Sequence, residues 1–116
     1  MGQLVPVIKK ADLMDGEMKV ITTSGRDILV ARASDNYYAA DSRCPHLGGD
    51  LGKGKLEGTV VTCPLHGSQF DLADGRVIRW TNFTGFASKV GKLLKSPKPL
   101  IVYKVKIEGD QILVEI

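Results

Sequence analysis

The placement of Cys and His constrains this chain more than any other feature. It contains two of each, and all four lie in two short clusters, Cys44-Pro45-His46 and Cys63-Pro64-Leu65-His66. Sixteen residues separate His46 from Cys63. Each cluster supplies one thiolate and one imidazole, and each follows a segment expected to be a strand. Thiolates are soft ligands suited to iron–sulfur clusters, zinc and copper(I), and imidazole suits iron, zinc and copper. Two Cys and two His can therefore hold a single zinc ion or a two-iron cluster. Zinc fingers usually pair their ligands as C-x2–4-C and H-x3–5-H. Here each loop mixes the two ligand types, with a spacing as short as one residue. That order suits a two-iron cluster whose thiolates converge on one metal and whose imidazoles converge on the other.

The rest of the sequence reads as an all-β chain. Short segments rich in β-branched and aromatic residues alternate with Gly, Asp and Asn turns. Strands are expected over 4–9, 17–23, 27–32, 37–41, 59–62, 68–71 and 77–79. Turn signals separate them at Ser24-Gly25, Ser34-Asp35-Asn36, Glu57-Gly58 and Ala73-Asp74-Gly75. The clearest hairpin is C-terminal. Over 101–108, Tyr103, Val105 and Ile107 alternate with Lys104, Lys106 and Glu108, giving one apolar and one charged face. Gly109-Asp110 turns the chain into 111–116, where Ile112, Val114 and Ile116 share a face. Leu113 breaks the polar alternation, which predicts a partly covered outer face. One segment differs: over 84–95, Phe86, Val90, Leu93 and Leu94 fall at helical spacing, and Pro97 and Pro99 end the pattern. Its opposite face carries Lys89, Lys92 and Lys95, either simply solvated or, over 89–98, a basic docking segment for an acidic redox partner.

With the motifs in place, a family likeness emerges. The pattern C-x-H-x16-C-x2-H, flanked by Leu47-Gly48-Gly49 and Gly67-Ser68-Gln69-Phe70, resembles the Rieske iron–sulfur domain, and the likeness runs over essentially the whole chain. It implies a Rieske-type fold: an antiparallel β-sandwich or barrel, a small cluster-binding subdomain at about 42–78, and one short helix in an insertion near 84–95. It also implies a single domain over 1–116 and one [2Fe–2S] cluster per chain. By the same likeness Cys44 and Cys63 bind the inner iron, His46 and His66 bind the outer, solvent-facing iron, and Ser68 donates a hydrogen bond near the cluster. An oxidised cluster with two thiolates and two neutral imidazoles is electrically neutral, whereas four thiolates would leave two negative charges. Reduction is therefore easier, and the established range of Rieske centres is about −150 to +300 mV.

Two departures narrow the reading. The Rieske proteins of cytochrome bc complexes carry two further cysteines that tie the ligand loops together; the matching positions here are Gly49 and Leu65. Phe70 stands where those proteins have a tyrosine hydroxyl, a donor that stabilises the reduced state. Both point to a ferredoxin-like carrier of lower potential. The loop glycines 48, 49, 52, 54 and 67 permit positive φ and close approach of N–H groups, and Pro45 and Pro64 stiffen the same loops. Asp50 reads as a solvated carboxylate close by.

Other classes fall away on simple grounds. Sixteen basic against 13 acidic residues leave a net charge of +3, with no basic stripe interleaved by aromatics, so no nucleic-acid partner is expected. No stretch approaches the roughly 20 apolar residues that cross a bilayer, and residues 1–10 lack the pattern of a signal peptide; a soluble, cytoplasmic protein is expected. An oxygenase with its own catalytic iron would need two more His and a carboxylate, and no His remains. The expected function is that of a one-electron carrier, not an enzyme, passing electrons from a reductase to an oxygenase or other terminal oxidoreductase. The alternative is the electron-transfer small subunit of a multicomponent enzyme such as a nitrite reductase.

Overall fold

Turn chemistry decides most of the chain's geometry. Ser34 and Asp35 both adopt positive φ, 52° and 63°, the type I′ geometry whose twist matches that of the flanking strands. Asp35 is further held by an ion pair with Arg32 at 2.8 Å. Such two-residue connections keep successive strands adjacent and antiparallel.

The computed structural model of the chain describes residues 3–23, 25–44, 50–64, 67–79 and 99–116. They form the strands β1 (Leu4–Lys9), β2 (Met18–Thr23), β3 (Arg26–Ala33), β4 (Asn36–Asp41), β5 (Lys55–Glu57), β6 (Val60–Thr62), β7 (Gln69–Asp71), β8 (Val77–Arg79), β9 (Val102–Glu108) and β10 (Gln111–Glu115). Single 3-10 turns span Lys10–Asp12 and Leu51–Lys53. The all-β expectation holds, with strand ends within a residue or two of those expected. The expected helix over 84–95 and the basic segment 89–98 lie outside the described residues.

The strands make a six-stranded sheet in the order β1-β10-β9-β4-β3-β2 and a four-stranded sheet in the order β5-β6-β7-β8. The larger sheet curls until its edge strands β1 and β2 touch, an incomplete barrel. Pro6 sits in β1, an edge strand with a register shift between Pro6 and Ile8, which is where a sheet tolerates a residue that cannot donate.

Burial places two cores back to back. Inside the barrel, Ile28, Val30 and Ala39 pack with Ile112 and Val114, and the alternating Tyr103 and Val105 of β9 join them. On the other face of β3 and β4, Leu29, Ala31 and Ala40 pack against Val61, Phe70 and Leu72 of the small sheet and its following turn. β3 is therefore covered on both sides, and its run Ile28-Leu29-Val30-Ala31 is fully buried, as a continuous apolar run requires. Leu113, on the outer face of β10, is half-buried, as its departure from the polar pattern predicted.

The two sheets are pinned at one further point. Gly75 adopts a φ of +81° at the β7–β8 turn, and its carbonyl accepts the Leu100 N–H at 2.8 Å. A Cβ at Gly75 would overlap the Leu100 carbonyl oxygen. Only glycine reconciles that φ with so close an approach.

Candidate metal centre

β4 hands the chain directly to the first cluster of ligand candidates. After Asp41, the Ser42 N–H donates to the Asp27 carbonyl at 3.2 Å, tying this exit to β3. Arg43 forms an isolated antiparallel bridge with Asp50, and the Leu51 N–H donates to the Ser42 carbonyl at 2.8 Å. Arg43 and Asp50 thus stand side by side as a gate. Beyond it, the Asp50 carboxylate caps the 3-10 turn by accepting the Gly52 N–H at 2.9 Å.

The second cluster is held by the β6–β7 hairpin. Thr62 and Gln69 are its last paired residues, and the Gln69 amide donates to the Thr62 hydroxyl at 3.1 Å. The Cys63 N–H donates to the Ser68 carbonyl at 2.7 Å, and the Gly67 N–H returns to the Cys63 carbonyl at 3.1 Å. Backbone bonds thus link Cys63 to both Gly67 and Ser68 at the base of the hairpin. At the far end of β7, away from this loop, the Asp71 carboxyl is held below the usual carboxylate range. The Ala73 N–H donates to it, and the Thr59 hydroxyl and Arg76 guanidinium add to the effect against the cost of burial.

Of the five residues singled out from the sequence, three are described. Cys44 and Cys63 are not joined in a disulfide, are only 2% and 3% exposed, and belong to one core with Leu51, Val61 and Phe70. Ser68 is fully buried at the base of the second loop. His46 and His66 lie outside the described residues, as do Gly49 and Leu65. Among the described residues no group of three or more Cys, His, Asp and Glu side chains is arranged to hold a metal ion.

The donor chemistry fits an iron–sulfur cluster. Two soft sulfur donors, one following β4 and one following β6, share one water-poor core. Sequence reasoning missed the roles of Asp50 and of the Thr62–Gln69 pair. Asp50 is exposed, as expected, but its carboxylate closes a turn; the spacing Asp50-Leu51-Gly52 carried that signal as an Asx turn.

The Rieske [2Fe-2S] domain family model matches residues 3–111. The chain belongs to this family. It is 30% identical over 113 residues to the ferredoxin component of biphenyl 2,3-dioxygenase from Rhodococcus jostii (strain RHA1), covering 97% of this chain and 92% of that protein. Identity reaches 36% over 76 residues with the cholesterol 7-desaturase nvd of Hemicentrotus pulcherrimus, but that match covers 64% of this chain and only 16% of the longer protein. Among solved structures, the ferredoxin of carbazole 1,9a-dioxygenase from Nocardioides aromaticivorans IC177 superposes with a TM-score of 0.79 at 25% identity, covering 97% of this chain and 96% of that one. The chain is accordingly a one-electron carrier of the ferredoxin type that holds a Rieske [2Fe–2S] cluster, and not a catalyst.

Proposed function

We propose that Cys44, His46, Cys63 and His66 are the cluster ligands, with thiolates on the inner iron, imidazoles on the outer iron and the Ser68 hydroxyl beside them. The observation that carries this is that two buried cysteines, 19 residues apart in sequence, lie in one core. When bound, the cluster supplies a site that takes up and releases single electrons. The chain's own residues do the rest. Cys44 and Cys63 keep their sulfurs out of water, which limits loss of the metal and tunes the potential. The backbone bonds at the base of each loop hold the ligands without a covalent tie. Residues 1–116 act as one unit, and 42–78 form its cluster-binding part.

In this reading the chain receives electrons from a reductase and delivers them to an oxygenase or another terminal oxidoreductase in the cytoplasm. The ferredoxin component of a dioxygenase among its relatives supports the acceptor class. The basic segment 89–98 serves as a dock for an acidic partner.

The test begins with the purified protein. Two irons and two sulfides per chain, a red-brown colour and a rhombic EPR signal on reduction are expected, and Cys63→Ser should lose all three. A colourless, zinc-loaded protein would overturn the assignment. Stopped-flow reduction by candidate reductases then identifies the donor, with charge reversal at Lys89, Lys92 and Lys95 expected to slow it at low salt.

A further inference from the structure

The chain's two cysteines are both assigned to the cluster, so no disulfide is available to fix 44–49. What the structure offers instead is a short clasp on the return side of the gate. Asp50 pairs with Arg43, one residue before Cys44. Its Oδ1 accepts the Gly52 N–H at 2.9 Å, and its carbonyl accepts the Lys53 N–H at 3.1 Å. The Gly54 N–H closes the turn on the Leu51 carbonyl at 3.0 Å. This turn seats Leu51, fully buried, in the core that also holds Cys44 and Cys63. Gly52 backs so closely onto Val20 of β2 that a Cβ there would overlap the valine Cγ2.

We propose that Asp50 is a positioning residue for Cys44: its carboxylate closes the turn that plugs Leu51 into the core beside Cys44 and Cys63. The inference rests on the ligand assignment proposed above. Its physical basis is local. The carboxylate is exposed, so its removal leaves the core composition intact and deletes one acceptor. The Gly52 N–H then turns to solvent, the 3-10 turn loses its cap, and the Asp50 side of the gate is free to shift against Arg43 and Cys44. The role needs an acceptor and not a charge, because the partner is a neutral N–H. Asn and Ser, which cap such turns about as well as Asp, should therefore serve.

The β7–β8 turn supplies a matched control. There the Asp74 Oδ1 accepts the Arg76 N–H at 2.9 Å, a bond of the same kind and length in an exposed turn that carries no ligand. Holoprotein of the wild type, Asp50→Ala, Asp50→Asn, Asp50→Ser and Asp74→Ala would be compared by iron release to a chelator and by the EPR g values of the reduced protein. Asp50→Ala should release iron about fivefold faster, the ratio that corresponds to loss of one side-chain cap, with displaced g values. Asp50→Asn and Asp50→Ser should stay within about twofold of the wild type, and Asp74→Ala should match it in both readouts. Wild-type behaviour in Asp50→Ala overturns the proposal, as does equal damage in Asp50→Asn and Asp50→Ser or the same effect from Asp74→Ala. If Asp50→Ala does not accumulate as holoprotein while Asn and Ser do, the proposal is upheld. A wild-type protein without the rhombic signal would instead sink the ligand assignment, so the two failures are distinguishable.

Discussion

Substituting Phe70 by Tyr adds one oxygen to a ring that is fully buried in the core shared by Cys44 and Cys63. Its backbone pairs with Val61, so the ring cannot swing to the surface without breaking the β6–β7 ladder. The new hydroxyl has two fates. If it donates to a cluster or cysteine sulfur, it stabilises the reduced, more negative state. A hydrogen bond to a charged group contributes about 1.5–3 kcal/mol, and each kcal/mol of difference between oxidation states moves a one-electron potential by about 40 mV. If roughly 1–2 kcal/mol of that bond appears on reduction, the potential rises by about 40–80 mV from a wild-type value expected below about +100 mV. Should the hydroxyl find no acceptor, it costs about 1–3 kcal/mol of stability, or roughly 4 °C in Tm per kcal/mol for a domain of this size. Spectroelectrochemical titration and thermal unfolding of the same holoprotein separate the cases. The expected result is a raised potential with Tm near that of the wild type. An unchanged potential with a lowered Tm would refute the placement of Phe70 at the missing donor's position.

Two further substitutions probe the scaffold. Asp71 is held below the usual carboxylate range, so its contribution to stability is fully present above the unfolded value near 3.9 and is lost as pH falls through the lower folded value. Asp71→Asn should therefore flatten the acid limb of stability measured by urea unfolding between about pH 2 and 5, and an unchanged limb would count against that account. Gly75→Ala should destabilise by about 2 kcal/mol or more, through φ strain and the clash with the Leu100 carbonyl; a loss below about 0.5 kcal/mol would show that this pin is dispensable.

Sequence made different parts of the molecule legible for different reasons. The hairpins were readable because their turns are written in local chemistry: Ser34-Asp35 and Gly109 adopt the positive φ their types require. β5 was not, because Lys55-Leu56-Glu57 is short and charged and becomes a strand only by pairing with β6. The double coverage of β3 was hidden too, since an apolar run does not reveal which layers enclose it. The thiol pair stood out because the chain has so few Cys and His. Asp50 did not, because an exposed carboxylate takes on meaning only when the Gly52 N–H lies beneath it.

The seam between the sheets carries one more consequence. Cys44 follows β4 of the large sheet, while Cys63 leaves β6 of the small one, so the proposed ligation acts as a rivet through both layers. A group that binds the folded chain and not the unfolded one adds its binding free energy to stability, and here that energy would fall on the contact between the layers. Stripping the metal should therefore loosen the small sheet first, with faster hydrogen exchange in β5–β8, while the barrel around Ile28 and Ile112 stays protected.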